Sequence, residues 1–227
     1  MSVAEPGPGA ARTADQLIET AERVFAERGI EAVSLREIGK AAGSRNTSVA
    51  HYHFGGKPGL IAAVIARRAP LLNGRRMELL AAATSAAGVN GTVAPEVLVR
   101  VLVTPLVEEL DRGGHYVTFL ARLAAESPTA VWVDGDDASA SSYRHVLRAL
   151  ERALPGIDRR RFRHRCELLL RLILDAVATR QHAEAKGVAA VSTRPAFVED
   201  VLEAATGLIL APIGPEQRDP RGPARRR

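Results

Sequence analysis

Apolar positions recur at helical spacing along almost the whole chain, and no run alternates in the manner of a half-buried strand. Thr13 and Gln16 have the spacing of a capping box, so a first helix is expected from Thr13, with Leu17, Ala21, Val24 and Phe25 on one face and Gly29 as its stop. Ser34 and Glu37 repeat the signal before a short helix carrying Leu35, Ile38 and Ala42, which Gly43 ends. A third short helix is predicted from about Asn46 to His53, broken by Gly55-Gly56. Lys57-Pro58 opens a fourth, since proline is tolerated in a first turn. Its apolar side is Leu60, Ile61, Val64 and Ile65, and it should run to about Ala83. After a small-residue linker at 84–94, further helices are predicted at 95–111, 115–126, 138–154, 158–186 and 194–210.

The pattern is all-α, and composition agrees. Aromatic residues are only 4% of the 227, whereas half-buried strands need aromatic and β-branched runs. At 46% hydrophobic residues, the chain can bury a sizeable core. Residues 1–12 and 212–227, rich in Pro, Gly and Arg, are expected to be a disordered arm and a disordered basic tail. The single cysteine, Cys166, excludes an intrachain disulfide framework, and neither a secretory signal nor a membrane span is legible, so a cytoplasmic protein without membrane attachment is expected. The formal charge of +5 permits a nucleic-acid partner without requiring one.

Residues 34–60, SLREIGKAAGSRNTSVAHYHFGGKPGL, read as a helix, a glycine-containing turn and a second helix. In such a unit the first helix braces across the DNA backbone while the second enters the major groove, which is about 12 Å wide and admits one helix. Ala41, Ala42, Val49 and Ala50 are small enough to let two short helices approach. Thr47, Ser48, His51 and Tyr52 give the second helix a hydrogen-bonding edge, and Asn46 can cap it. Lys57 stands where a cation opposes the helix dipole, as it would if it reached for an anion.

The ordered set Phe25, Gly29, Ser34, Ala42-Gly43, Tyr52-His53-Phe54, Lys57 and Leu60 resembles the TetR (tetracycline-repressor-like) family over about residues 13–65. Gly39 replaces a usual alanine, and Pro58-Gly59 a usual Glu-Ala, which should loosen the bracing helix and the start of the fourth. The resemblance implies an N-terminal three-helix DNA-binding domain at 13–56 and a helical effector-binding and dimerisation domain at 57–211. It implies phosphate contacts from Arg36 and Lys57, which Arg45 in the turn can help; by residue type, Thr47, Ser48 and His51 are the candidates for base edges, and Tyr52 and His53 for packing against sugar-phosphate. The function implied is a homodimeric transcriptional repressor released from palindromic double-stranded operator DNA by an unidentified small-molecule effector. An activator of the same fold, or an interaction protein using the motif as scaffold, remains an alternative.

Dimerisation is expected through the last two long helices, by Phe162, Cys166, Leu169, Ile173 and Val177 with Phe197, Val201 and Leu208. The family's ligand pocket is expected at His115, Phe119, Arg122, Leu123, Trp132 and Tyr143. No phosphate loop, nucleophile elbow or zinc motif is present, His164 and Cys166 fall on different helix faces, and the Asp134, Asp136, Asp137 cluster lacks calcium-loop spacing. No enzyme activity, metal or cofactor is therefore expected.

Overall fold

A computed structural model describes residues 8–44, 49–88, 91–126 and 140–212. Ten helices are described: α1 (Pro8–Arg28), α2 (Leu35–Ala41), α3 (Val49–Phe54), α4 (Lys57–Ala87), α5 (Pro95–Val107), α6 (Glu109–Arg112), α7 (Tyr116–Glu126), α8 (Ser141–Ala153), α9 (Arg159–Ala185) and α10 (Arg194–Leu210). No strand occurs among the described residues.

The helix boundaries follow local chemistry. The Ser34–Glu37 capping box forms: the Glu37 N–H donates to Ser34 Oγ at 3.2 Å, and the Ser34 N–H donates to Glu37 Oε2 at 2.9 Å. Asp158 caps α9 by accepting the Arg161 N–H at 3.0 Å. Arg165 closes the C-terminal end of α10, donating to the carbonyls of Ile209 (2.7 Å) and Ala211 (2.6 Å), where the dipole favours a cation.

The single helix expected at 95–111 divides at Glu108 into α5 and α6, and two further boundaries differ from expectation. α1 starts at Pro8 rather than Thr13, so residues 8–12 are helical and not part of a disordered arm. Proline fits a first turn and the alanines at 10 and 11 propagate it, which makes the Thr13–Gln16 spacing an interior coincidence. α4 runs to Ala87, past the predicted end, because Thr84, Ser85, Ala86 and Ala87 hold no breaker and Gly88 is the first positive-φ residue (77°).

α1 packs on α2, α3, α4 and α7, while α4 also meets α5 and α8, and α9 meets α5, α7 and α10. Leu17, Phe25, Ile38 and Leu60 are buried among the N-terminal helices; Leu102, Phe119, Leu150, Leu169 and Ile173 are buried in the rest of one continuous core. Helix α4, about 45 Å long at 1.5 Å per residue, belongs to both regions.

Candidate nucleic-acid interface and effector cavity

α1, α2 and α3 form a small unit closed by the first turn of α4. Its inner face is apolar: Ala50 is fully buried, and Val49 and Phe54 pack partly buried against the core. Its outer face is polar. Tyr52 is 86% exposed, His51 is exposed, and His53 is half-buried with its ring edge-on to Tyr52 at 5.5 Å. A tyrosine so exposed contributes nothing to the core, which leaves its large flat surface available to a partner. Arg36 and Lys40 are exposed on α2. Arg45, Asn46, Thr47 and Ser48 lie outside the described residues.

Lys57 has a role its sequence position did not disclose. Its Nζ donates to the carbonyl of Ile30 at 2.9 Å and approaches that of Glu31 at 3.5 Å, so the α1–α2 turn is tied to the start of α4. The other side of the same turn is held by Glu126, the last residue of α7. Its carboxylate accepts the Ile30 N–H at 3.1 Å and the Glu31 N–H at 2.7 Å. Gly29, with φ 88°, is required there: a Cβ would lie 2.9 Å from Glu126 Oε1. The expected looseness at Pro58-Gly59 is absent. α4 starts at Lys57, and Gly59 lets the Phe54 carbonyl approach so closely that a Cβ would sit 1.9 Å from it.

Residues 17–64 match the family model for bacterial regulatory proteins, tetR family. No curated protein matches the chain. Among solved structures, the chain is similar to a gamma-butyrolactone receptor (ArpA-like protein) at 20% identity, over 87% of this chain and 98% of that one, with a TM-score of 0.50. It is also similar to a TetR-family regulator from Streptomyces coelicolor A3 (20% identity, 92% and 99% covered, TM-score 0.44). A third is the fatty acid degradation regulator FadR from Bacillus halodurans (16% identity, 85% and 97% covered, TM-score 0.49). The receptor shares the all-helical fold beyond the tetR-type segment.

That C-terminal region encloses a cavity of about 50 Å³. Its walls are Leu72, Asn73 and Arg76 of α4, Leu102 and Leu106 of α5, Tyr116 and Leu120 of α7, Tyr143 of α8, and Leu170, Ile173 and Leu174 of α9. Of the expected pocket residues, Tyr143 lines it. Phe119 packs instead against Phe25 (6.2 Å between rings) and Tyr116 (6.0 Å), joining α7 to α1. Leu123 is buried core, His115 and Arg122 are exposed, and Trp132 lies outside the described residues, as do Asp134, Asp136 and Asp137. Arg76 and Asn73 escaped notice because α4 reads as an ordinary amphipathic helix, and their partner Ser142 lies on α8. An arginine falling on its buried side, in register with Leu72 and Leu80, was the available signal.

The expected dimer stripe requires correction. Phe162, Cys166, Leu169, Ile173 and Val177 are buried within the chain's own core, as is Val201 of α10. Phe197 is half-buried beneath the Arg180 guanidinium, 5.4 Å from its ring centre, and Leu208 is half-buried. Both sides of α9 carry apolar residues, so periodicity alone could not say which faces inward. The unbroken stripe does. The other side, with Leu168 (42% exposed), half-buried Leu172 and exposed Thr179, stands outward, and on α10 so do Ala204 and Gly207. Cys166 is fully buried, and burial pushes its thiol up to about 12, so no thiolate forms at neutral pH.

Among the described residues no helix is long and apolar enough to cross a membrane, and no group of three or more His, Cys, Asp or Glu could hold a metal ion.

Proposed function

We propose that the protein is a homodimeric transcriptional repressor that binds a palindromic operator through its tetR-type segment and is released by a small molecule entering the α4–α9 cavity. The observation that carries this reading is the polar, exposed edge of α3, with His51 and Tyr52 outermost, set on a braced apolar unit within a segment that matches the tetR family. Residues 13–56 form the DNA-binding domain and 57–211 the regulatory and dimerisation domain. His51, with Thr47 and Ser48, reads base edges; Tyr52 and His53 lie against sugar-phosphate; Arg36, Arg45 and Lys57 hold phosphates, with Asn46 at the helix start. Two of the three Lys57 donors are engaged by carbonyls, which leaves one for a phosphate. Two copies join through the outward sides of α9 and α10, around Leu168, Leu172, Ala204 and Leu208. A small-molecule receptor among proteins of this fold supports the ligand-responsive part.

A ligand of ordinary size needs a pocket of about 300 Å³ or more. The cavity is far smaller, so its occupation displaces the walls. Two of those walls lead to the DNA-binding segment. α4 carries Arg76 in the cavity and Lys57 on the α1–α2 turn; α7 carries Tyr116 in the cavity and Glu126 on the same turn. A ligand that prefers the enlarged state thereby prefers another setting of that turn, and differential affinity of this kind is what release requires. A gel-shift titration on the DNA upstream of the gene tests the reading: retention at one palindrome that outlasts competitor DNA is expected, and retention indifferent to sequence contradicts it.

A further inference from the structure

We propose that the effector is a monoanionic carboxylate with an apolar body, its headgroup seated on the guanidinium of Arg76. The assignment rests on the ligand-responsive reading above and adds the chemistry of the ligand.

Arg76 is 5% exposed and lines the cavity. Its Nη1 donates to Ser142 Oγ at 2.9 Å, and Ser142 in turn donates to Asn73 Oδ1. This strut fixes the guanidinium without neutralising it. Its Nε–H is buried and meets no acceptor among the described residues. Facing it across the cavity are leucines from α5, α7 and α9 and the neutral phenols of Tyr116 and Tyr143; no carboxylate lies among the described walls. The neighbouring arginines of α4 are treated otherwise. Arg68 pairs with Glu22 and Glu109, and Arg75 with Glu108 at 2.8 Å. A buried cation without an anion is costly, and chains retain one where a partner arrives from outside.

The guanidinium selects that partner. It is a planar fork of five donors, matched by the two oxygens of a carboxylate. A monoanion leaves the buried site neutral, whereas a phosphate dianion would leave one unpaired negative charge among leucines. Water can satisfy the N–H groups but not the charge. A metal ion would be repelled. Past the headgroup, the wall is mostly leucine and isoleucine with the two phenol rings, which suits an apolar body.

The test uses the full chain with decanoate, 3-phenylpropanoate and the methyl ester of each, read by calorimetry and thermal shift, on wild type, Arg76→Met, Arg76→Lys and Ser142→Ala. At least one acid binds wild type about tenfold or more tightly than its ester. Arg76→Met abolishes that preference while its circular dichroism and operator binding persist; Arg76→Lys keeps part of it, and Ser142→Ala weakens it. Esters binding as well as acids, an acid preference that survives Arg76→Met, or no binding of either acid overturns the assignment. If the same preparation still retains operator DNA, the ligand assignment falls alone; if it retains none, the regulator reading falls with it.

Discussion

Single residues carry most of what separates this chain from a generic helical bundle. The burial of Arg76 lowers its pKa to about 10, so the group is still charged at neutral pH and the folded state bears the full desolvation penalty there. Because the folded value lies below the unfolded one, stability rises only as pH climbs past about 10 toward the ordinary arginine range. Arg76→Met should therefore raise the thermal midpoint at pH 7 by a few degrees, measured by calorimetry without ligand; a fall of similar size would show that the Ser142–Asn73 strut outweighs the buried charge. Gly59→Ala should do the reverse. Its methyl would meet the Phe54 carbonyl, and α3 would have to swing away from α4, lowering both the midpoint and operator affinity. Sequence showed Gly59 only as a departure from a family pattern; its necessity came from a close backbone approach between α3 and α4, which no local spacing encodes. The burial of Arg76 was signalled only by its register with Leu72 and Leu80; what surrounds it was illegible, because those residues come from four other helices.

At the scale of elements, sequence was a good guide wherever the determinant is local. The Ser34–Glu37 box, the Gly43 and Gly55 stops, the Lys57 start of α4 and the spans of α7 to α10 follow from caps, breakers and periodicity within a turn or two. Thr13 misled because the same spacing occurs inside helices. The cap of α2 predicts a measurable acid limb. The backbone and hydroxyl of Ser34, with Arg28 at 2.7 Å, pull the Glu37 carboxyl down to about 2. Its contribution is complete above the ordinary value of 4.5 and fades as pH falls from there toward 2. Ser34→Ala should cost about 1 kcal/mol at pH 7, read by urea unfolding, and the difference from wild type should shrink as pH drops toward 2. A difference unchanged across that range would dissociate the cap from the stability of the bracing helix.

For the whole molecule, what faces outward matters most, and here periodicity was least informative. A helix apolar on two sides announces two burials but not their order; the assembled core shows that the 162–177 stripe faces inward, so the proposed dimer would use the opposite side. Leu168→Asp together with Ala204→Asp should leave the helix content intact, give a monomer in sedimentation, and weaken operator binding strongly, because each copy then reads a half-site alone. A dimer that persists would move the interface elsewhere. The coupling of α4 and α7 to a single turn was likewise invisible in sequence: Lys57 and Glu126 stand far apart along the chain and meet only through the backbone of Ile30 and Glu31. The most direct test of the central claim is a fluorescence-anisotropy titration of operator DNA at several salt concentrations. For wild type, the logarithm of the affinity should fall steeply and linearly with the logarithm of salt; Arg36→Gln should reduce that slope by about one, and His51→Ala should lose operator preference with the slope nearly kept. Unchanged affinity and unchanged slope in both variants would contradict the claim that α2 and α3 present this protein to DNA.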